Sequence, residues 1–88
     1  MRTDKRAIVH SVFLDFGTVD GHSEKDLMVT VDGVRGGEAV VIVAAPDLES
    51  GLMLAGGMSA SQVFIRVSNV TDNPVDVTPQ IFNLAVIQ

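Results

Sequence analysis

Apolar side chains recur at every second position along most of this sequence, and no stretch repeats them at the three-to-four-residue spacing of a helix. In AIVHSVFLDF the set Ile8, His10, Val12, Leu14 and Phe16 alternates with Val9, Ser11, Phe13 and Asp15. DLMVTVDGV and SQVFIRVSNV alternate in the same way, with Val63, Ile65 and Val67 on one side of the second. The intervening segments TVDGHSEKD, DGVRGGE, APDLESG and TDNPVD are built from residues that favour turns. A period of two broken by short turns predicts an all-β chain, a compact antiparallel β-sandwich or small barrel of about six to eight short strands.

With 88 residues the chain has room for one core. Residues 7–88 are read as a single β-domain and residues 1–6 as a basic N-terminal arm. A domain this small buries only about two-thirds of the surface of its unfolded chain, so a disulfide, a metal or a partner subunit is expected to support it. There is no cysteine. The two histidines, His10 and His22, are far apart in sequence and the carboxylates are scattered, so neither a metal nor a cofactor is expected. A partner subunit remains. AVVIVAA, Ala39 to Ala45, and IFNLAVI, Ile81 to Ile87, are apolar on both faces, whereas an antiparallel strand with one wet face alternates. Only one face of such a strand can meet the core of a small domain, and the other needs cover from another chain. Val41 and Val43 on the first segment, with Phe82, Leu84 and Val86 on the second, are the expected interface of a homo-oligomer.

Charge narrows the partners. The chain carries a formal net charge of −5. Arg2, Lys5 and Arg6 outnumber Asp4 in the arm, which makes the remainder strongly acidic and disfavours nucleic acid. The arm reads either as a frayed, solvated end or as a basic arm that docks on an acidic neighbour. The longest apolar run, AVVIVAA, is far short of the roughly 20 residues of a membrane-spanning helix, and MRTDKR leads into an alternating strand rather than the apolar core of a leader peptide. The chain is therefore expected to be soluble, to be made in the cytoplasm and to be a complete small product from Met1 to Gln88.

No constellation of catalytic residues stands out. His10 and Ser11 are neighbours on a strand and point to opposite faces, so they do not form a nucleophile–base pair. His22, Ser23 and Glu24 read as the polar residues of a turn. TVDG occurs at Thr18–Gly21 and again at Thr30–Gly33, but each copy has one carboxylate and lacks the spacing of a calcium loop. Asp-Gly is instead a hairpin signal. Gly36–Gly37 and Gly56–Gly57 lack the lysine and the strand–loop–helix setting of a phosphate cradle and read as turns or bulges. Asn69-Val70-Thr71 matches a glycosylation sequon, relevant only in a secretory pathway that nothing else suggests. The chain is not expected to be an enzyme.

From Val29 to Ile87 the sequence VTVDGVRGGEAVVIVAAPDLESGLMLAGGMSASQVFIRVSNVTDNPVDVTPQIFNLAVI resembles a small β-domain of tailed-bacteriophage virion proteins. The matching elements are Val31-Asp32-Gly33, Gly37-Glu38-Ala39-Val40, Pro46, Gly51-Leu52, Met58-Ser59-Ala60, the strand and turn from Val63 to Thr71, and Phe82-Asn83-Leu84-Ala85-Val86, preceded by LDFGTV at Leu14 to Val19. Glu38 stands where that pattern has aspartate, Gln62 where aspartate is common, and Phe82 where it has tryptophan. The resemblance implies a structural protein without enzymatic activity: a homotrimeric capsid decoration, or cement, protein made in the host bacterial cytoplasm. It would bind the major capsid protein on the virion surface, with Arg2, Lys5 and Arg6 as its capsid-binding arm. The alternative it implies is a head- or tail-fibre module that binds a host receptor. Sugar-binding faces usually present Trp or Tyr, and this chain has neither.

Overall fold

The computed structural model describes residues 7–36, 38–60 and 62–88, and it is all-β. Eight strands follow one another: β1 (Ala7–Leu14), β2 (Gly17–Val19), β3 (Ser23–Val29), β4 (Val40–Ala44), β5 (Leu52–Ser59), β6 (Gln62–Asn69), β7 (Val75–Val77) and β8 (Gln80–Ile87). They form three antiparallel sheets of order β1-β8-β4, β3-β6-β5 and β2-β7. The two three-stranded sheets turn their inner faces to one core, and their middle strands supply most of it. Val63, Ile65 and Val67 of β6 and Phe82, Leu84 and Val86 of β8 are all buried, joined by Phe16, Val19, Val29, Val31 and Val77. The alternating set that begins at Ile8 points inward along β1, and Val9, Ser11 and Phe13 point outward, as the period of two requires.

Each joint has a local cause. Beyond β1, the Gly17 amide donates to Asp15 Oδ1 at 3.0 Å, and Gly17 adopts φ +70, which turns Phe16 inward onto Phe82 with ring centroids 5.3 Å apart. The two TVDG copies are turns, closed by Ser23 N to Asp20 O at 3.2 Å and by Val34 N to Val31 O at 3.4 Å. Neither makes a hairpin. β2 pairs with β7, β3 with β6 and β4 with β8, so both turns carry the chain between sheets, and β5–β6 is the one pair of consecutive strands that pairs among the described residues.

The pair Gly56–Gly57 lies within β5 and not in a turn. Gly56 faces β4 where the edges of the two larger sheets meet, and a Cβ there would stand 2.6 Å from Val41 Cγ1 and 2.7 Å from Val43 Cγ2. Gly57 is paired with Phe64, whose ring covers it from the other face.

This architecture reverses the face assigned to the interface. Phe82, Leu84 and Val86 are 0%, 2% and 0% exposed, and Val41 and Val43 pack against the same core. All five belong to the domain's own interior, because β8 is a middle strand whose even-numbered side chains enter the same core as those of β6. The faces that remain uncovered are the opposite ones.

Candidate interaction surface

The outer face of β1-β8-β4 is apolar across all three strands. Register places Ala7, Ile87 and Val40 in one row, Val9, Ala85 and Ile42 in the next, Ser11, Asn83 and Ala44 in a third, and Phe13 with Ile81 at the end. Val9 is 76% exposed, Phe13 61%, Val40 60%, Ile42 54% and Ile81 47%. No residue of this grid is ionisable, and its two polar side chains are bonded to each other, Ser11 Oγ donating to Asn83 Oδ1 at 2.6 Å. Soluble domains rarely leave so continuous an apolar surface to water without a use for it. Among the described residues β1 is an edge strand of its sheet, with neither the proline nor the lysine that usually guards one.

The outer face of β3-β6-β5 is chemically different. Arg66 forms a two-pronged pair with Asp26, Nε to Oδ1 at 2.8 Å and Nη2 to Oδ2 at 2.9 Å, with Glu24 at 3.7 Å. Its guanidinium lies 5.3 Å from the centre of the Phe64 ring. The hydrogen bond from Arg66, aided by its charge and opposed by partial burial, holds the Asp26 carboxyl below its ordinary range. Both outer faces are exposed, yet one is charged and paired while the other is bare hydrocarbon.

Several of the remaining polar groups are engaged in holding the fold. Asn69, at the end of β6, is 2% exposed. Its Nδ2 donates to Val19 O at 2.9 Å and to Asn73 O at 2.8 Å, and its Oδ1 accepts from Thr71 N at 2.9 Å and Thr71 Oγ1 at 2.7 Å. The Asn-x-Thr spacing is thus accounted for by a buried corner that ties β6 to β2 and to the turn before β7. Lys25 Nζ donates to Phe16 O and Thr18 O at 2.9 and 3.0 Å. His10 and Ser11 lie on opposite faces of β1. His22 Nε2 stands 2.6 Å from Asp72 Oδ1 on the surface, while Ser23 Oγ donates to Gly21 O and not to the imidazole. An open depression there is lined by His22, Ser23, Glu24, Ser68, Asn69 and Val70. Among the described residues no three of the histidine, aspartate and glutamate side chains converge.

Glu49 clamps the β4–β5 connection to the segment before β8. Its two carboxylate oxygens accept from the Thr78 amide at 3.2 and 3.1 Å, and Oε2 also accepts from the Thr78 hydroxyl. The hydroxyl bond first, and the amide bond with it, hold the Glu49 carboxyl below its ordinary value. A depressed folded-state pKa contributes stability above the unfolded pKa of about 4.3, and that contribution is lost as pH falls through the folded value. The thermal midpoint is therefore expected to be level from pH 7 to about 5 and to fall below about pH 4. Glu49→Gln should flatten part of that decline; an unchanged acid limb in the variant would remove Glu49 from the account.

Of the residues assigned from sequence, Val41, Val43, Phe82, Leu84 and Val86 lie beneath the sheet whose outer face is bare, and Arg2, Lys5 and Arg6 lie outside the described residues. Sequence reasoning missed Val9, Phe13, Ile81 and Ile42 as the uncovered set. The signal that could have chosen the face is Asn83: the odd-numbered set of β8 includes an amide and an alanine, whereas the even-numbered set from Phe82 to Val86 is wholly large and apolar. Comparisons with protein-family models, with curated proteins and with solved structures returned no match to this chain.

Proposed function

We propose that this chain is a structural protein of a tailed-phage virion, a decoration protein that sits on the capsid surface as a homotrimer and braces neighbouring subunits of the shell. The observation that carries the reading is the uncharged outer face of β1-β8-β4, a surface suited to permanent cover by protein and unsuited to catalysis or to binding nucleic acid. The resemblance of Val29 to Ile87 to virion β-domains supplies the setting. In this reading apolar contact holds the copies together, and the basic arm with Arg2, Lys5 and Arg6 attaches them to an acidic patch of the major capsid protein. One exposed ion pair is worth only about 0–1 kcal/mol, but three arms on one trimer act together. The fibre-module alternative has no feature of the surface in its favour.

The test is attachment to shells assembled from the major capsid protein of the phage that this reading assigns the chain to. Wild-type protein is expected to co-sediment with the shells and to be released as salt rises. Deletion of residues 1–6 is expected to leave the fold and the oligomer intact while weakening attachment about tenfold or more, with less dependence on salt. Equal binding of the two forms would overturn the role of the arm, and no binding by wild type would overturn the decoration reading.

A further inference from the structure

The apolar face of β1-β8-β4 has one polar feature, and it is central. β8 is the middle strand, and Asn83 stands in the row flanked by Ser11 on β1 and Ala44 on β4. The bond from Ser11 Oγ to Asn83 Oδ1 orients the amide. No hydrogen bond from Asn83 Nδ2 forms among the described residues, and the side chain is exposed in the single chain. An apolar partner laid over this face would strand that N–H group, at a penalty of roughly 1–3 kcal/mol. The occupant must therefore be apolar over most of the face and offer an acceptor at its centre.

A second copy of this chain meets both requirements. Its own face is equally apolar, and its Asn83 offers at the matching place a carbonyl oxygen that receives one hydrogen bond among the described residues, although it has two lone pairs. Charge points the same way. Each copy carries −5 overall, so two copies approach most favourably where neither presents a charge, and among the described residues this face has none. Size is adequate too. Three strands about 4.8 Å apart and eight residues rising about 3.3 Å each outline a face of roughly 14 by 26 Å. With its large side chains standing proud, the accessible area is on the order of 800 Å², one partner's share of a standard interface.

We propose that the face is covered by two further copies arranged about a threefold axis that runs beside β8, with each Asn83 Nδ2 donating to the Asn83 Oδ1 of the next copy so that three amides close a ring. One polar residue in an otherwise apolar seam fixes register and copy number at some expense of stability, as a single buried asparagine does in coiled coils. The inference rests on the homotrimer reading above and assigns it a surface and a centre.

The native mass of the full chain tests both, and the outcomes separate them. Wild type is expected at three times 9.3 kDa. Asn83→Asp places three carboxylates at the axis. It should fall to the single-chain mass at pH 8 and return to the threefold mass near pH 4, with an unchanged circular-dichroism spectrum because position 83 is exposed in the single chain. Met53→Asp, on the outer face of the other large sheet, should remain threefold at both pH values. The chain has no cysteine, so Asn83→Cys can be treated with a short bis-maleimide. At a threefold axis at most two of every three chains can be joined, whereas a twofold contact lets nearly all of them pair. A wild-type protein of single-chain mass at micromolar concentration would overturn the homotrimer reading and this inference with it. A threefold wild type whose Asn83→Asp form stays threefold at pH 8, or whose Asn83→Cys form does not cross-link, would leave the homotrimer standing and overturn the axis at Asn83. Nearly complete cross-linking would overturn the threefold arrangement.

Discussion

Phe82→Ala is expected to lose about 3–5 kcal/mol of folding stability, the range for emptying a buried aromatic site. Phe82 is 0% exposed, lies on the middle strand of its sheet and rests against the Phe16 ring at 5.3 Å, so the surrounding side chains cannot collapse into the space without moving β1 or β4. An 88-residue domain holds roughly 4–13 kcal/mol in all, so the variant should be largely unfolded at moderate urea or fail to fold at 37 °C. Phe13→Ala, one strand away and 61% exposed, is the control: it should leave the fold intact and act on the association of copies. Urea melts at one protomer concentration compare the two, because association itself adds to apparent stability. A loss below about 1 kcal/mol for Phe82→Ala would return that ring to the surface and undo the assignment of inner and outer faces.

Asn69→Ala should be nearly as damaging although it removes a polar side chain. Four hydrogen bonds disappear: Val19 O and Thr71 N lose the side chain that served them, and Asn73 O keeps only the bond from the Thr71 hydroxyl, around a residue that is itself 2% exposed. Each orphaned group carries a penalty of about 1–3 kcal/mol unless water reaches it, so a loss of about 3 kcal/mol is expected. At about 4–8 °C per kcal/mol for a domain of this size, the thermal midpoint should fall by roughly 15 °C. Asn69→Asp provides a second check with the opposite dependence on pH. Its carboxylate would face two carbonyl oxygens and favour the neutral form, so its folded-state pKa would be raised. That variant should gain stability on acidification from its raised folded value down to about pH 4, a span over which wild type is level, before the loss through Glu49 sets in. A midpoint within a few degrees of wild type for Asn69→Ala would show the corner to be held by the backbone alone.

Much of this was legible before any coordinates. The phase of β1 and β6 follows from alternation, because a strand with one large apolar set and one mixed set has a single way to face a core: Ile8 and its set turn inward, as do Val63, Ile65 and Val67. Turn residues located most joints, since a Gly or Asp-Gly in a short polar segment has few other uses. The pairing of strands was not legible. TVDG signals a reversal of direction, but whether the next strand pairs with the last or crosses to another sheet depends on where the core needs it, and here it crosses twice. Gly56–Gly57 offered no clue of its own, because its cause is the approach of Val41 and Val43 on one side and of the Phe64 ring on the other.

The sequence by itself determined that this chain is all-β, that it has one core, and that some of its strands carry more hydrocarbon than that core can hold. These are properties of composition and period, and they survive any rearrangement of the strands. Only the tertiary structure decided which side of those strands is left over. The side-chain period of a strand is two, so a shift of one residue exchanges its faces, and where both faces are apolar the sequence is nearly indifferent to the exchange. Packing resolves it: the large even-numbered set of β8 joins Val63, Ile65 and Val67 of β6 in the core, and the smaller set around Asn83, together with Val9 and Phe13 of β1, is turned outward to whatever will cover it.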